Sequence, residues 1–145
     1  MKNPPTTKEL LGKYYKTVSG KGRLDQMLSE NFSFSGTIGK VAAGRDAFVG
    51  NLFFKYIRSL EVKTMIIEGE RACAVVGYGL VSPKGDALSL DVAEIWQIKD
   101  GKLDSLAMYY DTAAYQKFML PILFPLSRLK RKKGRTEQSL ALFLA

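Results

Sequence analysis

Glu94 stands where an acid is costly. In the run Ala87–Asp111 (ALSLDVAEIWQIKDGKLDSLAMYYD), Leu88, Leu90, Val92, Glu94, Trp96 and Ile98 recur with a period of two. That period puts them on one face of a strand. A carboxyl among such neighbours is desolvated, which raises its pKa. Held neutral at a cavity wall, it can donate a hydrogen bond to a carbonyl or enolate oxygen. Raised but ionised, it can take a proton from an acidic C–H. The plainer alternatives are a structural acid bonded to Tyr or Ser or paired with Arg or Lys, and a register that turns Glu94 to solvent. Asp91 falls on the opposite strand face, exposed or at a subunit contact.

Other chemistries lack their residues. The 145-residue chain has no histidine and one cysteine, Cys73. A Ser-His-Asp or Cys-His mechanism is therefore excluded, and a zinc, copper or non-haem iron site is not expected. Cys73 lies in the apolar run Ala72–Val76 and reads as a small buried hydrophobe. The formal charge of +8 comes mostly from one end. Ser127–Ala145 holds six basic residues, from Arg128 to Arg135, against Glu137 alone. Such a run reads as a solvated tail, or as one that touches an anionic surface. It lacks interleaved aromatics, so nucleic acid is not the expected partner. The N-terminus has no apolar signal-peptide core and no apolar run reaches the ~18 residues of a membrane span, so the cytoplasm is the default expectation.

The elements that must position Glu94 can be read in order. Asp100-Gly101 between alternating apolar runs is a strong hairpin signal and joins two strands within 87–111. Thr6 or Thr7 can cap a first helix that runs to Ser19, with Leu11, Tyr14 or Tyr15, and Val18 on its apolar stripe. A short second helix is expected over Arg23–Leu28, and a strand over Asn31–Ile38 with Phe32 and Phe34 inward. Gly39–Gly44 reads as a loop. Phe48, Leu52, Phe53, Tyr56, Ile57 and Leu60 recur at three and four, which predicts a long helix over Asp46–Leu60. Strands follow over Glu61–Glu68 and Ala72–Val81. In the latter, Gly77 and Gly79 mark either sheet curvature or room for a ligand. Asp111 can cap a terminal helix from Thr112 to Met119. Pro121 and Pro125 argue against one regular helix over Leu120–Leu126. The expected layout is α+β: a curved, mostly antiparallel sheet wrapped on three helices, in a domain over 1–119 followed by a basic, partly apolar tail over 120–145.

Three segments, YYKTVSGKGRLDQMLSENFSF, AAGRDAFVGNLF and AEIWQIKDGKLDSLAMYYD, resemble in order and spacing the NTF2-like superfamily, in particular its SnoaL-like group. The resemblance implies a cone with a ligand pocket between the helices and the concave sheet. It also implies a homodimer through the sheet's outer face, where Ala93, Ile95 and Gln97 would lie. The tyrosine donor of the ketosteroid isomerases falls on Tyr14, with Tyr15 as its neighbouring alternative, and their protonated acid falls on Glu94. Their general base falls near Gly36, which has no side chain. The acid of SnoaL-type cyclases lies on the strand near Glu94. Limonene-epoxide hydrolases need an Asp-Arg-Asp set, and the last of its acids falls on Met108. The resemblance thus implies a cofactor-free pocket protein that takes a small apolar or aromatic ligand. Its catalytic candidates are Glu94 and Tyr14, and its wall candidates are Phe34, Phe53, Trp96, Met108 and Tyr110. If enzymatic, it would be an isomerase, cyclase or lyase acting on a carbonyl compound. The rival expectation is a non-catalytic binding or dimerisation module of the same fold.

Overall fold

The structure is a computed structural model that describes residues 3–36 and 42–124. The chain begins with helix α1 (Thr7–Ser19), whose cap is Thr6: its hydroxyl accepts from the Glu9 amide at 3.1 Å. Thr7 is buried instead, and donates to the Gly69 carbonyl at 2.7 Å. One 3₁₀ turn (Asp25–Met27) leads into β1 (Leu28–Ser35). Next come β2 (Ala42–Gly44), α2 (Arg45–Val49), α3 (Phe53–Tyr56), β3 (Ile57–Glu68), β4 (Arg71–Val81), β5 (Ala87–Lys99), β6 (Lys102–Tyr109) and α4 (Thr112–Leu123). The six strands form one sheet in the order β2-β1-β6-β5-β4-β3. Only the β1–β6 pair is parallel. The layout is the expected α+β cone.

The hairpin at the centre forms as the sequence implies. Asp100 (φ 51) and Gly101 (φ 74) both take left-handed backbone, which a two-residue turn of this twist requires. Lys99 then pairs with Lys102, and Glu94 with Met108. Leu90, Val92, Glu94, Trp96 and Ile98 are buried on one face of β5, so Glu94 does not point to solvent. On β4 the same parity buries Ala72, Ala74, Val76, Tyr78 and Leu80. The buried residues of α1 (Leu10, Leu11, Tyr14, Tyr15 and Val18) belong to the same core.

The helix expected over Asp46–Leu60 is broken. α2 stops at Gly50, whose amide bonds the Asp46 carbonyl, and Asn51 Oδ1 takes the Phe53 amide at 2.9 Å. From Ile57 the chain joins the sheet opposite Leu80. Strand pairing with β4 outweighs a three-and-four apolar spacing that suits either state. Lys21 braces the junction: its ammonium donates to the carbonyls of Phe54 and Ile57, each at 2.7 Å.

Smaller corrections have similar causes. The short helix over Arg23–Leu28 shrinks to the single 3₁₀ turn, because Leu28 already pairs with Leu103. Ala42–Gly44, expected as loop, pair with Ser33–Ser35. Residues 37–41, including the expected strand end at Ile38, lie outside the described residues. α4 is capped by Asp111 as expected, accepting from the Ala114 amide at 3.0 Å. It runs past Met119 and through Pro121 to Leu123. The missing proline N–H forfeits only one bond, to the carbonyl of exposed Lys117. Pro125 and the basic segment Arg128–Arg135 lie outside the described residues. Cys73 is half-buried, not buried, on the outer face opposite Ile66 and Ile95. Gly77 and Gly79 also face outward. A Cβ on Gly77 would stand 2.9 Å from Lys63 Cε, and one on Gly79 would collide with Ser59 Oγ. The space they leave is occupied by the chain itself: Lys63 reaches across β4 to an ion pair with exposed Asp91 at 2.8 Å.

Candidate functional site

Glu94 is 1 % exposed, and both of its oxygens are engaged. Tyr15 Oη donates to Oε1 at 2.6 Å, and Tyr78 Oη donates to Oε2 at 2.6 Å. Trp96 Nε1 donates in turn to Tyr15 Oη at 3.0 Å. The residues come from three elements. Glu94 and Trp96 are two apart on β5, Tyr78 projects from the same face of β4, and α1 supplies Tyr15. Neighbouring residues on a helix point about 100° apart, so Tyr14 and Tyr15 diverge. Tyr15 enters the carboxyl network. Tyr14 packs edge-on against Trp96 (centroids 4.8 Å apart) and lines a cleft.

The cleft is narrow, with a cavity volume of about 30 Å³. Glu94 is on its wall with Tyr14, Tyr78, Tyr110 and Tyr115, and Asn51, Phe48, Phe53, Phe54 and Met108 help enclose it. Among the described residues, Glu94 is the only charged side chain in that wall. No cation is ion-paired with it among the described residues. Burial pushes its pKa up to about 7, while the Tyr15 and Tyr78 hydrogen bonds pull the other way. Burial, and secondarily the Glu94 charge, push the hydroxyls of Tyr14, Tyr15 and Tyr78 above the usual phenol range. They therefore stay protonated and act as donors. Tyr14 feels the Glu94 charge from its place on the cleft wall.

Of the residues singled out from sequence, Glu94, Tyr14, Phe53, Met108 and Tyr110 meet at this cleft. Phe34 and Trp96 do not line it. Phe34 packs on Phe48 at 5.1 Å, and Trp96 is sealed behind Tyr14 and Tyr15. Sequence reasoning missed Tyr78, although the alternation Ala72, Ala74, Val76, Tyr78 puts it on the face opposite Leu90, beside the buried run of β5. It also missed Tyr115, and the approach of Asn51 follows only from the broken helix. No cluster of three or more His, Cys, Asp or Glu suited to a metal ion occurs among the described residues. No helix there is long and apolar enough to cross a membrane.

Among solved structures the chain is similar to an NTF2-like protein from Burkholderia thailandensis E264, at 15% identity over 79% of this chain and 98% of that one, TM-score 0.68. It is similar to a provisionally assigned SnoaL-like polyketide cyclase from Jannaschia sp. CCS1, at 14% identity, 81% and 94% coverage, TM-score 0.66. A provisionally assigned isomerase from Rhodopseudomonas palustris matches at 17% identity, 76% and 96% coverage, TM-score 0.63. No family model and no curated protein matches the sequence. The fold is thus that of the NTF2-like proteins, one that also carries SnoaL-like members, and fold is not activity.

Proposed function

We propose that the chain is a cofactor-free small-molecule pocket protein that acts on a small apolar carbonyl compound as an isomerase, cyclase or lyase. Glu94 is its acid–base group, and the Tyr14 hydroxyl is the donor to the carbonyl oxygen. The observation that supports this most is a buried carboxyl, poised near neutrality on the wall of an aromatic cleft, with no counter-cation and no other charged wall residue among the described residues. A group whose pKa lies near working pH can both take and return a proton. Phe53, Met108 and Tyr110 supply apolar walls suited to a flat, neutral ligand. Among the described residues no cation lines the cleft to offset an anionic ligand beside Glu94. The names of the similar cyclase and isomerase agree with this reading. The absence of a side chain at Gly36 means that Glu94 must serve as both acid and base.

The test is deuterium incorporation beside the carbonyl of small cyclic and aromatic ketones in D₂O. Wild type should accelerate exchange and Glu94→Gln should not, with an unchanged circular dichroism spectrum. Equal rates in the two proteins would sink the proposal.

A second reading is favoured by a specific observation: both Glu94 oxygens are already capped by tyrosines, and the cleft is narrow. Under it the acid is structural and the cleft binds a ligand without turning it over. Saturable binding of a ketone, with no exchange in either protein, selects this reading.

The proposed partner is a second copy across the outer sheet face. Ile95 (41 % exposed), Ile66 (69 %) and Tyr109 (51 %) present apolar area there. Ile95→Glu should turn a sedimenting dimer into a monomer; a wild type that is monomeric at high concentration would exclude the dimer.

A further inference from the structure

The two tyrosines on Glu94 are not equivalent. Tyr15 is closed off: its proton goes to Oε1, its oxygen accepts from Trp96, and it does not reach the cleft. Tyr78 donates to Oε2 and also lies on the cleft wall. A phenolic hydroxyl has one donor site and two acceptor sites. Tyr78 therefore keeps acceptor capacity, with no hydrogen bond but that to Glu94 among the described residues.

We infer that Tyr78, and not Tyr15, carries protons between Glu94 and a ligand in the cleft. This rests on the reading of Glu94 as the acid–base group. It removes the objection that the carboxylate is already capped, because the cap is the conductor. In the forward step the ligand's C–H bond breaks and its electron pair moves onto the carbonyl oxygen, which the Tyr14 hydroxyl holds as an enolate. The released proton forms a new bond to Tyr78 Oη as the original Tyr78 proton passes to Glu94 Oε2. The products are an enolate, a neutral Glu94 and an unchanged Tyr78. Return of the proton from Oε2 through Oη to another carbon completes an isomerisation without an oxidant, reductant or co-reactant. Among the described residues, Tyr14 from α1, Tyr110 just after β6 and Tyr115 from α4 are the other titratable groups lining this space, and Tyr15 contacts Glu94 from the closed side. None of them gives up a proton near neutral pH, since burial raises each pKa. Tyr15 is then a positioning residue, which orients Glu94 from the closed side.

The test needs no substrate. Protein labelled with ¹³C-glutamate is taken through a fast pH jump across neutrality, and the protonated carboxyl band of Glu94 is followed in the infrared. Tyr78→Phe should slow its relaxation by about a hundredfold, the low end of what a positioned proton carrier contributes. Tyr15→Phe should relax close to the wild-type rate. Wild-type speed in Tyr78→Phe overturns the relay, and so does slowing confined to Tyr15→Phe. Wild type in mixtures of H₂O and D₂O gives an independent check: two protons in flight bend the rate against deuterium content, and a straight line contradicts the relay. Failure of ketone exchange would end the proposed reaction and leave this result standing on its own data.

Discussion

Tyr15 and Glu94 are 79 positions apart in sequence, yet their oxygens stand 2.6 Å apart in a buried hydrogen bond that fastens α1 to the sheet. The same hydroxyl accepts from Trp96, so one phenol oxygen satisfies two buried groups. Unpaired buried polar groups are costly, and among the described residues every deeply buried side-chain polar atom has a partner.

Tyr15→Phe and Tyr78→Phe should therefore differ in stability. Tyr15→Phe leaves the Trp96 indole N–H without its acceptor and Glu94 short of a donor. Tyr78→Phe removes only a donor to Glu94. We expect Tyr15→Phe to cost about 2–3 kcal/mol and Tyr78→Phe about 1 kcal/mol. Urea unfolding checks the order, and a costlier Tyr78→Phe would contradict it.

Glu94 makes stability depend on pH. Its pKa rises from 4.5 to about 7 on folding. Between those values the folded protein holds a proton that the unfolded chain has released. This contribution is full below the unfolded value and is lost as pH rises through about 7. Its size is on the order of 3 kcal/mol. Glu94→Gln should flatten the fall between pH 5 and 8, because Tyr14, Tyr15 and Tyr78 do not titrate there. Chemical denaturation of both proteins across that range measures the difference, and parallel curves would exclude it.

Lys21→Met should loosen the junction between α3 and β3. The ammonium bonds two backbone carbonyls there, and the residue sits at φ 58, a backbone that side chains other than glycine enter at a cost. Those bonds are partly solvated, so the expected loss is only about 1 kcal/mol. Amide exchange should quicken around Phe53–Arg58, and unchanged protection would show that Lys21 braces nothing.

Gly77→Ala should leave the cleft untouched. The added methyl would press on Lys63 Cε, the flexible end of a side chain, on the opposite face of the sheet. Ketone binding should be unchanged, while the Lys63–Asp91 pair shifts. A change in affinity would mean that Gly77 shapes the cleft after all.

How much of this was legible in the sequence depended on how local the cause was. The hairpin at Asp100-Gly101 and the burial of Glu94 follow from turn chemistry and strand parity, both contained in one stretch. Tyr78 was legible in the same way, since parity puts it on the buried face of β4, but no single residue flags it as a partner of Glu94. The choice between Tyr14 and Tyr15 was not legible. It depends on the rotation of α1 over the sheet, which the apolar stripe fixes only to within one position. The break at Gly50-Asn51 was hidden for a related reason: spacings of three and four fit Phe48–Ile57 whether the chain stays helical or turns into an edge strand. What decides is pairing with β4, some twenty residues further on. The displacement of Trp96 and Phe34 from the cleft reflects the same limit, because an inward side chain can serve core or cavity equally.

The most direct test is the ionisation of Glu94 itself. Carbon NMR of ¹³C-glutamate protein, with Glu94→Gln to assign the resonance, gives its titration in the native state. A midpoint near 7 is predicted, as burial outweighs two tyrosine hydrogen bonds. A midpoint at the ordinary 4.5 would mean a solvated or ion-paired carboxylate, and would contradict both the cleft chemistry and the relay built on it.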